Sequence, residues 1–221
     1  MNTSSLKSPP YWSKAVKYLQ LHDPVLSRLI KKHKSKTFLV TTNSIFTTFT
    51  KIIIGQQISI EVANSIENKI LKKISRLTPK IILETLDDDL RNCGLSYRKV
   101  NYIKGIAKIL DSNNMFFTKL EKMNDIDAVD ELTKLYGIGP WSAEMFLIFH
   151  YNRPNILPLG DIGLINSFCK KIVNVQSVQN GYVRPVIWRG SEMMAISAQK
   201  NKTHLAIAAW EWGSYFDPKL K

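Results

Sequence analysis

Cysteine is scarce in this chain of 221 residues: only Cys93 and Cys169 occur, far apart and outside any C-x-x-C pair. That argues against a disulfide framework, a zinc site or a four-cysteine iron-sulfur cluster, and it fits a reducing compartment. Acidic residues are few as well, 18 Asp+Glu against 31 Lys+Arg, for a formal charge of +13. Such a balance is expected of a protein that meets polyanions, although a solvated lysine-rich surface produces the same count. No apolar run approaches the length of about 20 residues that a bilayer-spanning helix needs. Residues Met1 to Pro10 are polar and Pro-containing rather than a basic stretch leading into an apolar one. The expectation is a soluble protein that is not secreted and does not engage a membrane. The four histidines, His22, His33, His150 and His204, have no metal partner at ligand spacing and read as structural.

Strand-type alternation is also nearly absent, whereas apolar residues recur at three- and four-residue spacing almost throughout, so the chain reads as all-α. With 44% hydrophobic residues it can bury a core as one large domain or two closely packed lobes. Helices are expected over Tyr11 to Leu21 and, after the Asp23-Pro24 cap, Val25 to Lys32. Ile45 to Ile54 runs into Gly55-Gln56-Gln57-Ile58-Ser59, and a further amphipathic helix reaches about Ile74. Thr78-Pro79 opens a helix to Leu86, and Asp87 to Asn92 ends at Gly94. Ser96 caps Tyr97 to Leu110, with Val100, Ile103, Ile106 and Ala107 inward. Helices over Asp125 to Leu135 and Trp141 to His150 flank Tyr136-Gly137-Ile138-Gly139-Pro140. Ile162 to Val173 follows a loop holding Pro154 and Pro158, and a last helix is expected over about Thr203 to Tyr215. Residues 174–201 carry no clear pattern.

The helix, glycine turn and helix around Gly137-Ile138-Gly139 suits a phosphate. Glycines permit φ > 0 and let an anion approach the N–H groups that open the next helix. Two glycines around an aliphatic residue also make an ordinary helix-helix turn. The surrounding residues decide: Leu135-Tyr136-Gly137-Ile138-Gly139-Pro140-Trp141-Ser142-Ala143-Glu144, then Leu157-Pro158-Leu159-Gly160-Asp161-Ile162-Gly163-Leu164, with Asp161 20 residues beyond Trp141. Together they resemble the helix-hairpin-helix DNA glycosylase superfamily, and within it the 3-methyladenine DNA glycosylase II branch, with its G-I-G-x-W-[TS]-A hairpin and P-x-G-D-x-G loop. Ile54-Gly55-Gln56-Gln57-Ile58-Ser59 is similar to that branch's G-Q-Q-[VI]-S segment, and Gly94-Leu95-Ser96-Tyr97-Arg98-Lys99 to its G-[LM]-S-x-x-K segment. Ala208-Ala209-Trp210-Glu211-Trp212, then Phe216-Asp217-Pro218, is similar to the closing A-A-W-x-x-W and D-P pattern, one residue short. The resemblance runs from about Tyr11 to Pro218.

The resemblance implies an all-α, two-lobed helix-hairpin-helix glycosylase fold in the compact form without an N-terminal β domain. The lobes would be about 45–150, with the hairpin at 132–150, and 11–44 plus 151–218. It implies monofunctional removal of alkylated purines such as 3-methyladenine and 7-methylguanine from damaged double-stranded DNA, by a monomer in bacterial cytoplasm or a nucleus. Asp161 matches the catalytic carboxylate. A Gly-Asp pair at a helix start is also an N-cap, and the two roles are compatible, because the helix N-terminus favours the ionised form. An ionised carboxylate is what an oxocarbenium-like sugar needs opposite its developing charge.

Trp141 matches the pocket tryptophan, and Trp210, Tyr136 and Met145 are further pocket candidates. Aromatics at such positions are more often core, yet an extruded base needs a stacking surface, and a cationic alkylated base is drawn to an indole face. Trp141 also stands where bifunctional relatives carry a Schiff-base lysine, so strand cleavage is not expected. Gly137, Ile138, Gly139, Gln56, Gln57, Ile58, Ser59, Arg98 and Lys99 are the DNA-contact candidates. Among them Gln57 or Ile58 fills the gap left by the flipped base, and Arg98 and Lys99 neutralise phosphates. No cofactor is required, although family members often hold a Na+ or K+ at hairpin carbonyls, here Thr133, Leu135 and Ile138. Two other readings stay open: a glycosylase for another damaged base, and a non-catalytic helix-hairpin-helix DNA-binding module.

Overall fold

Short polar side chains set most of the helix starts. The computed structural model describes residues 8–33, 43–112, 115–179, 181–189 and 203–211. Helix α1 spans Trp12–His22 and α2 Pro24–Lys32, where Asp23 accepts the Val25 and Leu26 N–H groups at 2.8 and 2.9 Å. Ser44 caps α3 (Ile45–Gly55), Ser59 caps α4 (Ile60–Ile74) and Thr78 caps α5 (Pro79–Glu84). Helix α6 is Asp87–Asn92; Gly94 then turns with φ +109°, and Ser96 accepts the Lys99 N–H to start α7, Tyr97–Ser112. Helix α8 is Met115–Lys122, Asn124 caps α9 (Asp125–Thr133), α10 is Pro140–Phe149, and Asp161 caps α11, Ile162–Val175. Each such cap stabilises its helix by about 1 kcal/mol. Helix α8 is an addition to the sequence reading.

The chain divides into two compact units, Met1–Ile156 and Leu157–Lys221. In the first, α3 is the central element and packs against α4, α7 and α10. Its buried face, Phe46, Phe49, Ile53 and Ile54, meets Val100, Ile103, Ile106 and Ala107 of α7, which are the four residues expected to face inward. Phe49 stacks on Phe146 of α10 with ring centroids 4.0 Å apart, and Phe117 of α8 approaches both. His150 lies flat against Phe146 and shares a 3.0 Å hydrogen bond with Thr48, and burial holds its pKa below the usual value.

Three consecutive residues after α10 are pinned to this unit. The Tyr151 hydroxyl donates to the Phe117 carbonyl at 3.1 Å, and burial, chiefly, pushes its pKa up to about 12. The Tyr11 hydroxyl donates to the Asn152 carbonyl at 2.6 Å. Arg153, with only 11% of its side chain exposed, donates to Asp125 and to the Leu120 carbonyl, each at 2.9 Å. Removing this guanidinium strips a carboxylate and a carbonyl of their donor at once. Arg153→Met is therefore expected to lower stability by about 2 kcal/mol, read as a lower urea midpoint with an unchanged slope. A midpoint within error of the wild type would count the cluster as solvated surface.

In the second unit, β1 (Gly181–Arg189) pairs antiparallel with β2 (Thr203–Glu211), from Gly181 opposite Glu211 to Arg189 opposite Thr203. Leu205, Ile207 and Ala209 turn to the less exposed side, Ala206 and Ala208 to the more exposed one, and β2 packs on α11. Gly181 is required here, because a Cβ would stand 2.3 Å from the Trp210 carbonyl oxygen. The helix expected over about Thr203 to Tyr215 is thus corrected: its first nine residues are β2, and residues 212–215 lie outside the described residues. Leu205 to Ala209 is a short apolar run that periodicity alone cannot assign, and its alanines favour helix. The partner strand, rich in Val, Ile and aromatic residues, decides the outcome. Trp212 and Phe216-Asp217-Pro218 also lie outside the described residues. The helical class holds for the chain, with this sheet added.

Candidate functional site

The hairpin is built by burying its aliphatic residues and exposing its backbone. After α9, Leu135 (8% exposed) and Ile138 (4%) enter the core, and the Ile138 N–H closes the turn on the Leu135 carbonyl at 3.0 Å. Between them the chain must double back, and Gly137 does so at φ +88°. A Cβ at Gly137 would lie 2.1 Å from Cγ of Tyr102 on α7, so the conformation and the space both require glycine. Gly139 is different: a Cβ there meets nothing within 4 Å. Its backbone caps α10 without a side-chain acceptor, and Pro140 occupies the first turn. A helix that opens without a side-chain cap, beside a turn with φ > 0, has the form of an anion-binding nest.

The turn between α3 and α4 is tied to this hairpin. Gln56 Nε2 donates to the Gly137 carbonyl at 3.0 Å and to Ser142 Oγ at 2.9 Å. Lys99 Nζ donates to the Ile54 and Gln56 carbonyls, both at 2.8 Å, which satisfies acceptors that the end of α3 leaves open. Desolvation lowers the Lys99 pKa from its usual value. Gln56 (φ −56°, ψ 124°) and Gln57 (φ 60°) are the central pair of a type II turn closed by the Ile58 N–H on the Gly55 carbonyl, 3.4 Å. Glycine is usual at the second of these positions, so Gln57 carries a strain of about 1 kcal/mol. Gln57 and Ile58 (36% exposed) face solvent, and Ser59 follows as the α4 cap.

The remaining candidates in the first unit lie on or beside α10. Trp141 is half-buried in its first turn, Met145 is buried one turn on, and Glu144 between them has its carboxyl pKa raised by burial. Tyr136 is 68% exposed and meets Tyr102 edge to face, centroids 4.9 Å apart. Arg98 is exposed on α7, while the Lys99 ammonium is directed into the protein. Gln56, Lys99 and the hairpin are thus brought together. Sequence reasoning gave Tyr102 no role and Ser142 only a place in the hairpin motif, because their partners lie 35 and 86 residues away.

In the second unit Asp161 caps α11, its Oδ1 accepting the Leu164 N–H at 2.9 Å. The carboxylate is half-buried, between Gly160 and exposed Ile162. An oriented anion at a helix mouth is suited to stabilise a cation placed before it. Trp210 lies on β2 opposite Tyr182, ring centroids 5.1 Å apart, and Arg184 sits over the Tyr182 ring at 5.5 Å.

The chain is 31% identical over 150 residues, 64% of its length and 52% of the relative's, to a putative DNA-3-methyladenine glycosylase of Bacillus subtilis. It is 28% identical over 186 residues, 77% of its length and 63% of the relative's, to DNA-3-methyladenine glycosylase of Saccharomyces cerevisiae. The chain thus spans between half and two-thirds of the length of these curated relatives. A solved DNA-3-methyladenine glycosidase from Bacillus halodurans is 31% identical with a TM-score of 0.53, covering 67% of this chain and 69% of that one. The Schizosaccharomyces pombe 3-methyladenine DNA glycosylase, solved with abasic DNA, is 27% identical with a TM-score of 0.56, covering 74% and 87%. Residues 50–181, which include the glycine hairpin and Asp161, match the model of the HhH-GPD superfamily, and the chain belongs to that superfamily of base excision DNA repair proteins.

Proposed function

We propose that the protein is a monofunctional DNA glycosylase that hydrolyses the N-glycosidic bond of alkylated purines in duplex DNA. The observation that carries the proposal is Asp161, a carboxylate oriented by the first turn of α11 in a chain that also holds a glycine nest. In this reading the hairpin backbone at Gly137, Ile138 and Gly139 grips a phosphate, and Arg98 adds charge to the DNA-binding face. The extruded base stacks on Trp141, with Tyr136 and Met145 of the same unit as further candidates, and Trp210 is the stacking candidate of the second unit.

An alkylated purine carries positive charge, so the indole face prefers it to a normal base, and it departs without strong acid help. As the bond from C1′ to the base nitrogen breaks, the electron pair leaves with the base and the sugar becomes oxocarbenium-like. The Asp161 carboxylate stabilises that charge, and water adds to C1′ and loses a proton, leaving an abasic site. No cofactor takes part. The carbonyls of Thr133, Leu135 and Ile138 are hard oxygen donors of the kind that hold Na+ or K+, and the Leu135 oxygen keeps a second lone pair beside its bond from Ile138. We place the enzyme, as a monomer, wherever the genome is held, in a nucleoid or a nucleus.

Purified protein is expected to release 3-methyladenine and 7-methylguanine from methylated duplex DNA, detected by chromatography. Borohydride is expected to trap no covalent protein–DNA product, because Trp141 occupies the lysine position. Tight DNA binding with no release from any lesion in a panel of single-lesion duplexes would make the chain a binding module, and release of oxidised or deaminated bases alone would move the substrate.

A further inference from the structure

Gln56 is held at both ends: its backbone carbonyl by Lys99 of α7, and its side-chain amide by the hairpin carbonyl of Gly137 and the α10 hydroxyl of Ser142. The next residue, Gln57, stands at φ 60° in a turn position that favours glycine, and Ile58 beside it faces solvent. A solvent-facing turn with an unfavourable backbone angle relaxes unless its base is fixed, and here the base is fixed to the phosphate-gripping element itself. We infer that Lys99 and Gln56 are positioning residues that lock the Gln57–Ile58 turn to the glycine hairpin, so that filling the gap in the base stack is coupled to the grip on the backbone. Neither side chain needs to touch DNA for this. Lys99 supplies donors to two carbonyls at the α3 terminus, and Gln56 carries the connection across to α10.

The inference deepens the proposed function and rests on the gap-filling role of Gln57 or Ile58. It assigns Lys99 and Gln56 to extrusion and not to bond cleavage, and extrusion is hard only where the lesion is well stacked and paired. The test is single-turnover release of 7-methylguanine from two duplexes, one with the lesion opposite cytosine and one with it opposite an abasic site, where unpairing costs little. Loss of these hydrogen bonds, charge-assisted at Lys99 and neutral at Gln56, is expected to lower the ratio of paired to unpaired rates about tenfold in Lys99→Met and in Gln56→Ala. Lys99→Arg, which keeps the donors, is expected to restore it.

The fluorescence of 2-aminopurine placed next to the lesion, which rises as stacking is broken, should fall in the same variants. Equal losses on both duplexes, or a ratio unchanged from wild type in both variants, would overturn the inference, since general loosening of the fold does not distinguish the substrates. Gln57→Ala and Ile58→Ala separate the two ideas: if neither changes either rate, the gap-filling role fails and the coupling falls with it. If they lower the paired rate while Lys99→Met and Gln56→Ala do not, only the coupling fails.

Discussion

Asp161→Asn is expected to bind methylated duplex DNA normally and to release base at least about 10²–10³-fold more slowly than wild type. The substitution separates two duties of one side chain. Asparagine is as good an N-cap as aspartate, so the 2.9 Å bond from the Leu164 N–H survives and α11 should form unchanged. What disappears is the negative charge that the proposed mechanism sets against the sugar cation. Asp161→Ala removes charge and cap together, so it should match the asparagine variant in rate and also melt earlier, by about 1 kcal/mol of stability. Single-turnover release and thermal unfolding, measured on both variants, distinguish the two duties. Wild-type rates in Asp161→Asn would remove the carboxylate from the mechanism.

Gly137→Ala should be among the most damaging small substitutions in the described residues. The left-handed angle and the Tyr102 ring 2.1 Å from the new methyl act together, for an expected loss on the order of 2–5 kcal/mol. Gly139→Ala meets nothing within 4 Å, and its stability should stay within about 0.5 kcal/mol of wild type. On the proposed phosphate grip of the hairpin, the Gly139 methyl should instead weaken DNA binding. Adding Tyr102→Ala to Gly137→Ala should recover the share of the loss due to the clash and leave the share due to φ. Urea unfolding of the four proteins checks this. Equal destabilisation by the two glycine variants would mean that the turn is not held against α7.

That contrast shows where sequence reading reaches and where it stops. Both glycines look alike as part of Gly-Ile-Gly, and only the packing of α7 makes one of them irreplaceable. Helices α2, α3, α4, α5, α9 and α11 were readable because each start is fixed by a cap within three residues. Helix α8 was not, because its eight residues open on the apolar run Met115-Phe116-Phe117 and are too few to display a helical period. The sheet was invisible for another reason: Leu205 to Ala209 becomes a strand only through pairing with residues some twenty positions earlier. The site divides in the same way. Asp161 and the hairpin were named from local spelling, whereas the bonds from Gln56 to Gly137 and Ser142 and from Lys99 to the end of α3 have no local mark.

The amide of Gln56 also restricts how this basic protein can adjust its charge. It donates to the Gly137 oxygen, an atom with no proton to give in return. A glutamate of the same shape would set two acceptors 3 Å apart and replace attraction with repulsion. Slow hydrolysis of that one amide to the acid would therefore act as chemical ageing of the hairpin, changing the mass by a single dalton or so while loosening the glycine turn.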